Sequence, residues 1–264
     1  MSDSTSAISM STVTLPRYLS RPSFREIAKE TISSVAPELA DTPLNYIRDG
    51  LECLGPDMLQ VLAGVKAEPI SNVLPKELSV VINDLSSDMP THMLAVYSRQ
   101  VSAATKRRVT LFPVHNVILA THCANLPILP TSNVTPPGSS GSSVSVPVVP
   151  LCIPAPEVFP QLSTFLYTKR IDHLLASLLP CAVPRTLYRH DPNSESVRDA
   201  LQQFASKLAT TYSAQALLTH AMAVNGLWRN ACALGIADEN LWCALDVGWE
   251  TLICALAIST GKQL

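Results

Sequence analysis

Two spacings of apolar residues alternate along the chain and set out its elements. Behind a candidate cap at Ser23, Phe24, Ile27, Ala28, Ile32 and Val35 recur at helical spacing until Pro37 stops them. A second helix follows Pro43, with Leu44, Ile47, Leu51 and Leu54 on one face; Gly55-Pro56 predicts its end, and Asp57 to Val65 a third, short helical piece. From Leu78 the rhythm shortens. Leu78–Asn83, His92–Tyr97 and Val109–Val114 are β-branched or aromatic runs bounded by turn residues, and so are predicted strands, the last two forming a hairpin. The chain then passes at His115 into a predicted helix over Asn116 to Asn125. A strand over Val146 to Ile153 follows, then a helix carrying Phe159, Leu162, Phe165, Leu166 and Ile171.

After Pro180 and Pro184 the pattern becomes that of long amphipathic helices. One opens at Ser194-Glu195 and carries Val197, Leu201, Phe204, Ala205 and Leu208. The next runs from about Ser213 to Ala233 through Leu217, Leu218, Ala221, Met222 and Trp228. The last is capped by Asp238 and striped by Leu241, Leu245, Trp249, Leu252 and Leu256. The fold class expected is α+β and mainly helical: a small sheet with helices, plus a C-terminal three-helix subdomain. The organisation expected is a disordered tail over 1–20, N-terminal helices over 21–74, an α+β core over 75–180, and the helical subdomain over 185–260. Within the core, the Ser/Gly/Pro-rich stretch 131–145 reads as a disordered insert.

Composition narrows the functional classes. Charged residues are 15%, against about 25% in ordinary soluble domains, so much apolar surface must be buried internally or offered to other proteins. A formal net charge of -2 gives no pull toward nucleic acid or anionic lipid. Seven cysteines, none spaced C-x-x-C, follow a polar N-terminus with no leader pattern; a reducing, nuclear or cytoplasmic setting is therefore expected. There the Asn133-Val134-Thr135 glycosylation triplet would mean nothing. Leu241–Ile258 approaches the length of a membrane span, but Asp246 and Glu250 put a polar stripe on it that suits a bundle helix.

Candidate chemistry is sparse. His115, at a strand-to-helix junction, is the sharpest single residue, and a base or a ligand is the functional reading of such a histidine. No Asp, Glu or Cys stands at a local offset to orient it. His115 and His122 are seven apart with Cys123 adjacent, yet the paired spacing of a zinc site is missing. Cys232, Cys243 and Cys254 recur every 11 residues, but Gly235-Ile236-Ala237-Asp238 interrupts the first interval, so core packing is the reading for Cys243 and Cys254. The Ser139–Ser143 stretch lacks the lysine of a phosphate loop, and no G-x-S-x-G elbow occurs. Lys106-Arg107-Arg108 is either a solvated hairpin edge or a minimal nuclear-import patch. Trp228, Trp242 and Trp249 read as core, with interface anchors as the alternative. No catalytic, cofactor-binding or metal-binding residue is assigned.

The order strand, His115, helix, strand, helix, with Leu119 and Ala120 and then Phe159, Leu162, Phe165, Leu166, Tyr167 and Thr168, resembles the core of a BTB/POZ domain. That resemblance implies a structural His115, capping the helix and bonding the neighbouring loop. It also implies protein binding in place of catalysis, with a homodimer left open. The longer run from Pro75-Lys76-Glu77-Leu78 and Asn83-Asp84-Leu85-Ser86 through His115-Asn116, Leu119-Ala120, His122 to Pro127 and Val148 to Leu151, to Phe165–Thr168, resembles the fungal (basidiomycete) clampless family, over roughly 22–258. This resemblance implies a non-enzymatic regulator of sexual development. Its role would lie in clamp-cell formation, dikaryon maintenance and the cell cycle, downstream of mating-type homeodomain factors. The partners implied are proteins, transcription factors or cell-cycle regulators, with no direct contact to nucleic acid or membrane. The alternative from another class is a hydrolase-type enzyme using His115.

Overall fold

The computed structural model describes residues 14–67, 73–99, 108–132, 141–188 and 194–262. At its centre β3 (His92–Tyr97) lies parallel to β5 (Ser142–Cys152), with Met93 opposite Val148 and Val96 opposite Leu151. Alternation along β3 sends Leu94 and Val96 to one face and Met93 and Ala95 to the other. Both faces are covered, which is why this strand reads as a continuous apolar run. β4 (Thr110–Val114) pairs antiparallel with β3, as the hairpin reading expects. On the other side, β2 (Glu77–Ile82) pairs antiparallel with β5, and β1 (Val65–Ala67) closes the five-stranded sheet in the order β1-β2-β5-β3-β4.

β5 begins four residues earlier than the Ser/Gly-rich composition predicts. Ser142 to Ser145 are paired with β2, Val80 standing opposite Val144, because the inner edge of β2 has its hydrogen bonds to satisfy there. The part of the expected insert at 133–140, with Asn133, lies outside the described residues, as do Lys106 and Arg107 of the basic triplet and residues 1–13 of the expected tail.

The helices pack against the sheet and against one another in a continuous core running from Met58 and Leu94 to Leu208 and Leu252, while Val61 joins a second cluster with Met93 and Ala95. α1 spans Lys29–Val35, five residues shorter than its apolar spacing predicts, because the ring of Phe24 is drawn away to pack 5.3 Å from that of Trp242. α2 (Leu44–Ala63) runs through Pro56, where the sequence predicts a stop. Ile47, Met58, Val61 and Leu62 are buried on it, and that burial outweighs the roughly 3 kcal/mol cost of an internal proline. α3 (Asn116–His122) is a turn shorter than expected, since Cys123 leaves the helix to bridge with Ile236. The single helix expected from Phe159 onward is two, α4 (Phe159–Thr168) and α5 (Ile171–Leu178), separated at Lys169 in the left-handed region at φ 52°.

α6 (Glu195–Thr211), α7 (Ala214–Leu234) and α8 (Glu239–Thr260) follow the sequence reading closely, with Ser213 and Asp238 accepting cap hydrogen bonds from Ala216 and Leu241. By length and composition α8 is able to cross a membrane, but 67% of its apolar window is buried inside the fold. Residues 14–20, assigned to the tail by composition, lie against these helices without regular secondary structure. Trp249 donates its indole N–H to the Pro16 carbonyl at 3.2 Å and Trp228 to that of Ser20 at 2.9 Å. Arg21 pairs with Glu239 and with Asp246, the residue of the polar stripe.

Candidate functional site

His115 sits where β4 hands over to α3, and it is almost wholly buried. Its Nε2 lies 2.9 Å from the Asp88 carbonyl, which can only accept, so Nε2 carries the proton and Nδ1 is the acceptor. The Tyr167 hydroxyl, 3.0 Å away on α4, donates to Nδ1 and at the same time accepts from the His115 backbone N–H at 2.9 Å. Burial lowers the His115 pKa and keeps the ring neutral, and burial likewise pushes the Tyr167 phenol up. Both ring nitrogens are thus engaged, and the bond to the Asp88 loop matches the expectation. The capping role does not. His115 makes no side-chain cap bond; the first free amide of α3, that of Asn116, is taken at 2.7 Å by the Thr91 hydroxyl from the neighbouring chain segment.

The polar group that the sequence reading overlooks is built around His122. The left-handed turn at Lys169 carries its Nζ to Asp238 Oδ2 at 2.8 Å, while Oδ1 of the same carboxylate caps α8. Lys169 also approaches His122 Nδ1 at 3.3 Å. An ammonium only donates, so Nδ1 supplies the lone pair and the proton resides on Nε2. His122 is 3% exposed, and its Nε2 has no hydrogen-bond partner among the described residues. Burial first, then the charges of Lys169 and Arg48, hold its pKa down to about 3. Arg48, half-buried on α2, is tied through Nε to the Thr121 carbonyl at 2.8 Å. Cys123 adjoins this group fully buried, its thiol pushed up to about 12 by burial.

His122 and Arg48 face a cleft of about 630 Å³ between residues 24–32, the turn at 39–45 and the end of α7. Ile32, His122 and Gly235 are its buried floor; Phe24, Ile27 and Leu44 give it apolar walls. The α7 end is held there by backbone bonds from Asn125 to Leu234 and from Ala124 to Gly235. Gly235 takes φ +67°, and a Cβ on it would stand 2.9 Å from the Asn125 amide nitrogen, so glycine is required twice over.

His115 and His122 do not converge. One ring turns to α4 and the Asp88 loop, the other to Lys169, and no group of three or more candidate metal ligands forms among the described residues. Cys232 and Cys254 pack against the core half-buried, as does Cys243. Trp242 and Trp249 are buried as the core reading expects, and Trp228 is half-buried. No sequence spacing ties Arg48, His122, Lys169 and Asp238 together; the only local signal is the run Lys169-Arg170 between two apolar helical segments.

Comparison with known proteins divides the chain in two. Residues 22–154 match the family model described as the clampless protein 1 N-terminal domain. Residues 172–264 match that of the clampless protein 1 C-terminal domain. No curated protein and no solved structure matches.

Proposed function

The chain belongs to the clampless protein 1 family, and from that premise we propose that it serves clamp-cell formation by contact with other proteins, making and breaking no bonds itself. The family assignment suggests the role in clamp formation; the finer reading is ours. In it, the protein is a fungal regulator of sexual development that supports the dikaryon and its cell cycle. It acts downstream of mating-type homeodomain factors, in the nucleus, the cytoplasm or both. Its partners are transcription factors or cell-cycle proteins.

The observation that carries the contact reading is the state of His115. A general base needs a nitrogen free to face a substrate, and both nitrogens of this ring are occupied by Tyr167 and the Asp88 carbonyl. The low charge content points the same way, toward apolar surface shared with partners. We keep the BTB/POZ-like character of the 75–180 core as part of the proposal, supported by the order β3, β4, His115, α3, β5, α4. Affinity purification of the full chain from dikaryotic cells tests it. Specific recovery of regulatory proteins is the expected result; no protein above background, or a turnover activity abolished by His115→Ala in a protein that stays folded, overturns it.

A further inference from the structure

His122 and Arg48 both line the cleft beside α2, and each keeps a donor that meets no acceptor among the described residues. His122 Nε2–H is buried without a partner, its tautomer set by Lys169 on the far side of the ring. A buried donor left unpaired costs about 1–3 kcal/mol, so native structures rarely keep one idle. Arg48 is held by its Nε alone, which leaves its two terminal nitrogens, the paired prongs of the guanidinium, uncommitted among the described residues. Both side chains line the same cleft.

Charge identifies what fits. Lys169 is matched by Asp238 and His122 is neutral, so the inner end carries one net positive charge, that of Arg48. At the rim, Arg25 and Lys29 are offset by Glu26 and Asp41. A single carboxylate balances this site. A phosphate, at about -1.5 to -2, leaves charge uncompensated beside Asp238. The apolar walls at Phe24, Ile27 and Leu44, with Ile32 in the floor, suit aliphatic neighbours of that carboxylate, and the volume is that of a small-ligand cleft.

We propose that this cleft binds an acidic, aliphatic peptide segment of a partner protein, with one carboxylate received by the Arg48 guanidinium and the Nε2–H of His122. The proposal rests on the reading of the chain as a protein-binding regulator and names the chemistry of what it binds. Asp238 and Lys169 act through His122: the ammonium fixes which nitrogen donates, and the carboxylate holds the ammonium.

The test is a titration of the isotopically labelled full chain, followed at the Arg48 Nε–H and the His122 ring resonances. The probes are N-acetyl-Leu-Asp-Leu-amide, its Asn isostere and inorganic phosphate. Saturable shifts with the Asp peptide are expected, about tenfold weaker with the Asn isostere, as befits loss of a charge-assisted pair. Asp41→Asn, at the exposed rim, is expected to tighten the Asp peptide by about twofold, since it removes a like charge. No shift at these two side chains up to ~10 mM peptide, equal binding of the two peptides, or tighter binding of phosphate overturns the assignment. Purification with Arg48→Gln, its fold checked by the same spectrum, separates this proposal from the broader one. If the native chain and the variant recover partners equally, the cleft is not the docking site and the interaction reading stands. If the native chain recovers none, the interaction reading fails and the titration alone decides the cleft.

Discussion

At the scale of single residues, the buried histidines do most to set how the protein responds to mutation and pH. His115 joins three segments, the Asp88 loop, the start of α3 and Tyr167 on α4. His115→Ala leaves the Asp88 carbonyl without its donor and the Tyr167 O–H without its acceptor, while the backbone N–H at 115 still reaches the hydroxyl oxygen. A loss of about 1–3 kcal/mol is expected from those groups alone, read as a lower melting temperature or urea midpoint. His122 sets the acid response. Its pKa is about 3 in the fold, against 6.5 ordinarily. Between those values the unfolded chain takes up a proton that the folded chain refuses, so stability is full above about pH 6.5 and falls as the pH drops toward 3. His92 and His115, also lowered by burial, add in the same direction. Melting temperatures at pH 7 and pH 5 should therefore differ, with acid the less stable condition. His122→Gln is expected to flatten that dependence.

At the scale of elements, close approach and capping decide what propensity leaves open. α2 crosses α4 so tightly that a Cβ on Gly55 would stand 2.0 Å from the Tyr167 carbonyl oxygen. The sequence reading takes Gly55-Pro56 as a helix end; the structure uses the glycine as a contact and carries the helix through the proline. Gly55→Ala must push the two helices apart. A destabilisation of about 1–3 kcal/mol, the usual range for overpacking, is the expected outcome in chemical denaturation, with a weakened His115–Tyr167 bond visible as a shifted His115 ring signal. A neutral Gly55→Ala would mean that the α2–α4 contact is looser than described. The connection between β5 and α4 is fastened from a distance in the same way. Buried Asn230 on α7 both accepts from and donates to the Ala155 backbone, at 2.9 and 2.7 Å. No local sequence signal announces such a bracket, because its two ends are 75 residues apart.

At the scale of the whole molecule, the two matched halves share one core, and the N-terminal segment is part of what closes it. Leu19 is buried within that core, and the carbonyls of Pro16 and Ser20 receive the indole protons of Trp249 and Trp228. Removing residues 1–23 strips both indoles of their acceptors and Asp246 of Arg21. The truncated chain should melt lower and show altered tryptophan emission, the change centred on α7 and α8. Unchanged emission would show that the segment does not hold these side chains in solution.

The sequence by itself determined whatever depends on neighbours along the chain. Strand and helix periods, the Asp238 cap and the three C-terminal helices were legible because spacing of three, four or two residues selects a face locally. The α+β class followed from the order of these elements, and the family likeness from the residue runs that begin at Pro75 and end at Thr168. Only the tertiary structure decided the rest. It carried α2 through Pro56, split the helix at Lys169, laid residues 14–24 on the tryptophans and began β5 at Ser142. It also brought Arg48, His122, Lys169 and Asp238 to one point. These are contacts between distant segments, where burial and the pairing of polar groups outweigh local propensity, and no short window of sequence contains both sides of the balance.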